Sequence, residues 1–256
     1  MSALLQASGI SKSFAGIQAL SNVDIAVYPH QRVGLIGPNG AGKTTFFNCL
    51  LGVLSLDEGQ VLFKGEELSG LPVSQRARAG IGRTFQRIEL FEETTVLEHL
   101  FIAERIRNGT GAFWKDILGL GRPSSEELER CYEVLELLGL LEMAQAPIET
   151  LSLGQGRLVE VGRALMTEPD LLLLDEPSSG LGSEDTAALA NTLQAVQAER
   201  EFAILLVEHD INLVAEFTEY SYVLDFGNMI AKGPTKEVLK EPAVRSAYLG
   251  TFEVGK

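Results

Sequence analysis

The chain has 256 residues, which is long enough for one large domain with an ample hydrophobic core. Hydrophobic residues make up 45% and charged residues 22%, as in an ordinary globular protein. Acidic residues outnumber basic ones by 35 to 21. The resulting net charge of −14 argues against nucleic acid or anionic lipid as the main partner, because both select for basic patches.

The apolar runs of the sequence are too short for a membrane-spanning helix. The most apolar, "LLLLD" and "AILLVEHD", have four or five apolar residues before a charge, whereas a span needs about 20. The N-terminus lacks the charged start and apolar core of a secretion signal. Cys49 and Cys131 have no metal-ligand spacing, so we expect free thiols in a reducing cytoplasm.

Strand-like segments open the chain. β-Branched residues are frequent in Asn22–Tyr28, Arg32–Gly37 and Gln60–Gly65, and turn signals such as "DEGQ" separate these segments. They predict a mixed β region at the N-terminal end of the molecule.

The middle of the chain has the spacing of helices. From about Val96 to Met143, apolar residues recur three and four positions apart. Ser124 or Ser125 is placed to cap the N-terminus of one helix, with Glu127 or Glu129 in its first turn. We predict a helical subdomain inserted into the rest of the fold.

After Leu151 the pattern alternates between helices and short buried strands. Leu171–Glu176 and Ala203–Asp210 are the buried strands, and a hairpin is expected to turn at Phe226–Asn228. Alternation of this kind is typical of an α/β fold with a parallel, helix-covered sheet.

A complete phosphate-binding loop follows the segment "RVGLI". The loop "GPNGAGKTT" matches the pattern G-x-x-x-x-G-K-[ST] between a strand and a helix, an order that a chance glycine-rich turn would lack. Its glycines let the backbone wrap around phosphate oxygens, and the helix N-terminus adds a positive dipole. Lys43 is expected to reach the β- and γ-phosphates and Thr44 to bind Mg²⁺. The candidate phosphate-binding residues are Gly37, Pro38, Asn39, Gly40, Ala41, Gly42, Lys43, Thr44 and Thr45.

Two acidic residues end the buried strand "LLLLDE". Ligands of open α/β sheets bind at the carboxyl ends of the strands, so Asp175 is placed to hold Mg²⁺ through its water shell. Glu176 is placed to polarise an attacking water. The alternative interpretation is that the two acids cap the helix that follows.

A second glycine-containing loop, "LSLGQGR", precedes a helix but lacks the lysine of a phosphate-binding loop. Ser152 can donate a hydroxyl hydrogen bond, and Gly154 permits close approach of the backbone. The free N–H groups of the helix that follows suit an anion. A simple helix N-cap formed by Ser152 is the competing and compatible interpretation.

The ordered motifs "GPNGAGKT", "RTFQ", "LSLGQ", "LLLLDEP" and "VEHD" resemble those of the ATP-binding cassette (ABC) ATPases over nearly the whole chain. The resemblance implies a P-loop ATPase core, an antiparallel β region and an inserted helical subdomain. It also implies that ATP and Mg²⁺ are the cofactors. In that family the second loop closes over ATP held by another subunit. Ser152, Gly154 and Gln155 are therefore expected to bind the ATP of a partner ATPase, either an identical or a paralogous chain.

Further residues take their expected roles from the resemblance alone. Gln86 matches the glutamine that contacts Mg²⁺ or the attacking water, and His209 matches the switch histidine beside the γ-phosphate and Glu176. Phe14 matches the aromatic residue that stacks on adenine, although an ordinary core role competes. Gly182 replaces the aspartate that the family usually has, so the resemblance does not establish how the two sites of a dimer communicate, whereas the expectation of ATP binding is unaffected.

The resemblance implies one ABC ATPase domain over residues 1–256. Its nucleotide-binding core covers about 1–87 and 160–256, and its helical subdomain about 88–159. The Gln86–Thr95 segment is expected to lie near an integral membrane permease. The insertion around Phe113 and Trp114 is expected either to lie near that permease or to form a small aromatic core.

Three segments, "GIGRTFQRIELFEETTVLEHL", "GAFWKDILGLGR" and "EPAVRSAYLG", resemble the ATPases of branched-chain amino-acid importers. The implied location is the cytoplasmic face of the cell membrane, with a periplasmic or extracellular solute-binding protein as an indirect partner. Urea or amide importers, lipopolysaccharide exporters and soluble ABC ATPases are the alternatives. Since the permease and the binding protein select the solute, the sequence does not name it.

Overall fold

Two β-sheets form the framework of the described part of the chain. The structure is a computed structural model, and the residues that it describes are 2–84, 93–107 and 124–249. One sheet is antiparallel and has the strand order β2-β1-β4-β5. Its strands are β1 (Leu5–Phe14), β2 (Ile17–Val27), β4 (Glu58–Phe63) and β5 (Glu66–Glu67).

The second sheet has six described strands in the order β10-β9-β3-β8-β7-β6. All neighbouring strands run parallel except β10, which pairs antiparallel with β9. The strands are β3 (Arg32–Ile36), β6 (Ile81–Arg83), β7 (Leu171–Asp175), β8 (Ala203–Glu208), β9 (Tyr220–Asp225) and β10 (Asn228–Pro234). The predicted α/β fold and the hairpin are confirmed, with the turn at Phe226–Gly227.

The sequence did not predict strand β1. Its segment "LQASGISKSF" is mostly polar, and Gly9 has a left-handed φ of +63°. β1 is nevertheless a central strand, because it pairs with β2 on one side and β4 on the other. Its hydrogen bonds come from neighbours that are distant in sequence, and local periodicity does not encode them.

Helices cover the sheets and form the inserted subdomain. The helices outside the subdomain are α1 (Lys43–Leu51), α2 (Val73–Arg78), α6 (Ser183–Arg200), α7 (Ile211–Phe217), α8 (Thr235–Val238) and α9 (Pro242–Leu249). The subdomain contains α3 (Val96–Arg107), α4 (Ser125–Leu137), the 3₁₀ turns Leu141–Met143 and Ile148–Thr150, and part of α5 (Leu153–Leu165). Helix α5 continues through residues 159 and 160, between which the sequence placed the subdomain boundary.

A capping box starts α4. The Ser124 hydroxyl accepts a hydrogen bond from Glu127 N, and the Glu127 carboxylate accepts one from Ser124 N. The predicted cap is therefore confirmed at Ser124. Each bond satisfies a donor that the helix or its preceding residue would otherwise leave unpaired.

Strand β7 contributes to two hydrophobic cores. Leu171 and Leu173 point into the core between the sheets, whereas Leu172 and Leu174 point into the core beneath the helices. All four leucines are buried. The run of four leucines is thus explained by a strand covered on both faces, as the sequence predicted.

The membrane and cysteine predictions can be compared with the described residues. None of the helices described is long and apolar enough to cross a membrane. Cys49 and Cys131 are free thiols, and both are buried. Burial raises the pKa of Cys49 to about 11 and that of Cys131 to about 12.

Candidate nucleotide-binding site

The loop between β3 and α1 requires glycine at two positions. A Cβ added at Gly37, where φ is +152°, would lie 2.1 Å from the carbonyl oxygen of Leu224. A Cβ at Gly42, where φ is +102°, would lie 2.6 Å from the carbonyl oxygen of Ala19. Real Cβ atoms do not approach oxygens this closely. The close packing of the loop against Leu224 and Ala19 therefore explains why the motif has glycine at positions 37 and 42.

Lys43 is the first residue of α1 and is only 5% exposed. Its ammonium group donates hydrogen bonds to the carbonyl oxygens of Gly37, at 2.6 Å, and Pro38, at 3.1 Å. Burial lowers the pKa of Lys43, and the nearby carboxylates of Glu176, Glu208 and Asp175 oppose that shift. The N-cap, Gly42, offers no side chain to the first turn, so the N–H groups of this turn can bind an anion.

Asp175 lies at the carboxyl end of β7 and is 2% exposed. Its Oδ2 is 3.7 Å from the guanidinium of Arg83, whereas its Oδ1 has no hydrogen-bond partner among the described residues. Burial raises the pKa of Asp175, and Arg83 counteracts this shift. A buried carboxylate oxygen without a partner fits a role toward a hard cation such as Mg²⁺.

Glu176 and His209 face each other across the ends of β7 and β8. The Nδ1 of His209 lies 3.8 Å from the Oε1 of Glu176. Glu176 has a left-handed φ of +47°, a backbone conformation that is unfavourable for residues other than glycine. It turns the chain sharply after the strand. Helix α6 is capped at Gly182 instead, so the alternative that Asp175 and Glu176 cap the next helix is wrong.

Phe14 lies at the end of β1 and is 44% exposed, so it is not a core residue. The ammonium group of Lys12 lies 5.7 Å from the centroid of its ring. Asp57 fixes this end of the strand, because its carboxylate accepts hydrogen bonds from Lys12 Nζ, Ser13 N and Ser13 Oγ at 2.6 to 2.8 Å. An exposed aromatic ring on an anchored strand end can stack on a planar ligand.

The second glycine-containing loop starts α5 with a capping box. The Ser152 hydroxyl accepts a hydrogen bond from Gln155 N at 3.3 Å, and the Gln155 side chain accepts one from Ser152 N at 2.9 Å. Leu153 is 43% exposed. A Cβ on Gly154 would lie 3.7 Å from Asp185 Cγ, so the loop is next to the start of α6.

A family comparison identifies the chain. The sequence profile described as "ABC transporter" matches residues 20–179, which is more than half of the chain. The chain belongs to the ABC transporter family. As a member with a complete phosphate-binding loop, it is an ATP-binding subunit and an ATPase.

Relatives of this ABC ATPase match it over almost its whole length. The high-affinity branched-chain amino acid transport ATP-binding protein LivG of Escherichia coli K12 is 40% identical over 250 residues, covering 96% of this chain and 98% of LivG. The BraF protein of Pseudomonas aeruginosa, which carries the same description, is 38% identical over 251 residues and covers 96% and 98%.

Solved structures show the same fold as this ABC ATPase. An ATP-binding cassette of an ABC transporter in its ADP conformation is 32% identical with a TM-score of 0.87, covering 98% of this chain and 100% of that one. A dimeric cassette in a post-hydrolysis state, bound to ADP and Pi, is 25% identical with a TM-score of 0.75, covering 90% and 98%.

Three side chains near the site of this ABC ATPase were missed by the sequence reasoning. They are Asp57, which anchors the strand end at Phe14; Arg83, which lies beside Asp175; and Glu208, the buried last residue of β8. Of these three, only Glu208 could have been found in the sequence, because it is a charged residue directly after an apolar run. The other two depend on contacts between segments far apart in the chain.

The predicted roles of Gln86, Phe113 and Trp114 concern residues outside the described ranges. Thr44 is exposed at the start of α1, next to Lys43.

The structure brings the Lys43 loop, Asp175, Glu176 and His209 to one edge of the parallel sheet, at the carboxyl ends of β3, β7 and β8. Ser152 and its loop belong to a different helix, α5.

Proposed function

We propose that the chain powers a membrane importer of branched-chain or related amino acids. It would work as an ATPase dimer on permease subunits at the cytoplasmic face of the membrane. The observation that carries this proposal is the 40% identity to E. coli LivG across 96% of the chain. A solute-binding protein outside the membrane would deliver the amino acid to the permease.

Within one subunit, the phosphates of ATP would bind to Lys43 and to the N–H groups of the Gly37–Gly42 loop. Phe14 would stack on the adenine. Mg²⁺, when bound, would neutralise phosphate charge, and the residues that would hold it are Thr44, Asp175 and Gln86. The partnerless Oδ1 of Asp175 supports this assignment for the aspartate.

Hydrolysis requires a base near the attacking water. Glu176 would accept a proton from that water at its carboxylate. The 3.8 Å separation between Glu176 Oε1 and His209 Nδ1 supports a role for the histidine in holding the carboxylate and the γ-phosphate in place. The Ser152, Gly154 and Gln155 loop would close the site on the ATP of the partner subunit, and the paired subunits of the related dimeric cassette support such an assembly.

An apolar groove between the helical subdomain and α1–α2 would receive the permease. Three exposed apolar side chains line it: Val53, Val73 and Ile106. Exposed apolar patches of this kind mark sites of protein association. Residues of β6 also line the groove, and the Gln86–Thr95 segment follows β6 in the sequence.

Crosslinking from Val53→Cys and Ile106→Cys tests the docking surface. The native thiols are buried, which favours labelling of the introduced cysteine alone. Both variants should crosslink to the permease, whereas Phe226→Cys at the exposed hairpin turn should not. Crosslinking from Phe226→Cys alone would contradict the assignment.

Uptake measurements test the solute class. Cells that lack the gene should lose uptake of radiolabelled leucine, isoleucine or valine, and the native gene should restore it. The Glu176→Gln gene should not restore it. Loss of urea uptake with unchanged amino-acid uptake would favour the urea and amide alternative.

A further inference from the structure

Glu208 is a completely buried carboxylate at the end of β8, with an exposed fraction of 0%. Its Oε1 accepts hydrogen bonds from Ser178 N at 3.0 Å and Ser178 Oγ at 2.6 Å. Its Oε2 accepts hydrogen bonds from His209 N at 3.0 Å and Asp210 N at 3.3 Å. Burying a carboxylate is unfavourable unless it is hydrogen-bonded, and here both oxygens are.

The two oxygens of Glu208 bind two different segments. One is the turn Pro177–Gly180, which directly follows Asp175 and Glu176. The other is the two-residue connection His209–Asp210 between β8 and α7. A single side chain therefore fixes the backbone next to the candidate base and the backbone next to its histidine neighbour.

The turn Pro177–Gly180 also contacts α5. The buried guanidinium of Arg157 donates a hydrogen bond from Nη2 to the carbonyl oxygen of Ser179 at 3.1 Å. A Cβ on Gly180 would lie 3.0 Å from Leu153 Cδ2, so this glycine packs closely on the loop that starts α5. The turn thus lies between Glu208 and the loop expected to close the partner's site.

We propose that Glu208 is a positioning residue with two effects. It holds the turn Pro177–Gly180 beside Glu176 and the connection His209–Asp210 in the arrangement needed for hydrolysis. Through the turn Pro177–Gly180 and Arg157, it also links that arrangement to the Ser152 loop. The state of one subunit's own site is thereby coupled to how firmly the same subunit closes on its partner's ATP.

The variant Glu208→Gln tests the first effect. An amide has one acceptor oxygen, so in either orientation its NH₂ group faces at least one of the backbone N–H groups of Ser178, His209 and Asp210, which can only donate. Backbone hydrogen exchange at Ser178, or at His209 and Asp210, should become faster without nucleotide. Turnover should fall by about tenfold or more while KM changes by less than about threefold.

Glu216→Gln is the matched control, because it makes the same charge change at an exposed position of α7. It should leave exchange and turnover unchanged. Ser178→Ala should speed exchange at the Pro177–Gly180 turn but not at His209, because Oε2 keeps its two partners. A purely structural role of Glu208 would instead lower the unfolding temperature without lowering kcat at unchanged KM, and that result would overturn the first effect.

The second effect is tested in a mixed dimer that cannot hydrolyse ATP. Both chains carry Glu176→Gln. The first chain also carries Lys43→Ala, and the second chain also carries Ser152→Arg. The intact site then combines the Lys43 loop of the second chain with the Ser152 loop of the first. Adding Glu208→Gln to the first chain changes a residue that is not on the subunit holding the phosphates.

This addition should lower the ATP retained by the mixed dimer by about threefold or more, whereas adding Glu216→Gln to the same chain should not. Arg157→Lys in that chain should also lower retention, and the two changes together should lower it no further than the stronger one. Unchanged retention, or effects that multiply, would overturn the second effect. A parent mixed dimer that traps no ATP would contradict the proposed function itself, on which the second effect rests, because the Ser152 loop would then not close the partner's site.

Discussion

The Lys43 loop and the Ser152 loop both contain glycines and both start a helix, yet they differ in what their polar groups contact. Lys43 is buried, and two carbonyl oxygens of its own loop hold its ammonium group. Ser152 is exposed, and its hydroxyl caps its own helix. The first loop combines a lysine with free N–H groups, whereas the second has a hydroxyl and a helix N-terminus but no lysine.

This difference indicates what each loop can do alone. A cation and several N–H groups around one point can bind phosphate within a single chain. A capped, exposed helix start adds contacts to an anion that another group already holds. The comparison therefore favours a site shared between two subunits, and the predictions below test it.

The largest effect is expected from substitutions at the site formed by Lys43 and Glu176. Glu176→Gln should bind ATP with near-native affinity but lose turnover by about 10²-fold or more, because an amide cannot act as a base. Lys43→Ala should weaken ATP binding itself. Equilibrium binding and turnover assays separate the two, with Glu184→Gln as an exposed control at the start of α6. Native turnover in Glu176→Gln would show that the base is another group.

Complementation between subunits is the next effect in size. In the Glu176→Gln background, the Lys43→Ala chain and the Ser152→Arg chain should each fail to trap ATP alone. The first cannot hold phosphate, and the second places a bulky side chain in the closing loop. Each mixed dimer contains one site that has both Lys43 and Ser152. Random pairing should therefore restore ATP trapping at about a quarter of the sites.

Trapped radiolabelled ATP after gel filtration measures this restoration. The fraction of mixed dimers is determined in parallel from two affinity tags. If mixed dimers form but retain no more ATP than the parent chains, the Ser152 loop does not act on the partner's site.

A smaller effect is expected for Ser152→Ala. The substitution removes the hydroxyl that accepts from Gln155 N, and loss of such a cap costs about 1 kcal/mol of stability. Urea unfolding should report this loss, with Ser124→Ala at the capping box of α4 as the matched control. Both variants should lose similar stability, but only Ser152→Ala should also weaken ATP trapping. Equal trapping in both would limit Ser152 to its capping role.

The smallest effect concerns Gly182, the N-cap of α6. Its backbone has φ −75° and ψ 167°, which any residue adopts, and a Cβ there would meet no atom within 4 Å. Gly182→Asp should therefore stabilise the protein by about 0.5 kcal/mol or less, because aspartate is a better N-cap than glycine. Thermal unfolding measures the change. A clear destabilisation would show that the glycine is required by the fold.

The sequence by itself determined the features that depend on short spacings. The Gly37–Thr45 motif, the doubly buried strand at Leu171–Asp175 and a helix cap at Ser124 or Ser125 each involve residues within one turn, loop or strand. Local geometry fixes which residue types such elements accept, so their patterns can be read along the chain.

Tertiary structure decided the features that join distant segments. Strand β1 exists because β2 and β4 pair with its two edges. Asp57 reaches Ser13 across 44 positions, and Glu208 reaches Ser178 across 30. A carboxylate in the sequence carries no sign of which backbone donors will surround it. That is settled only when the parallel strands bring the ends of β7 and β8 side by side.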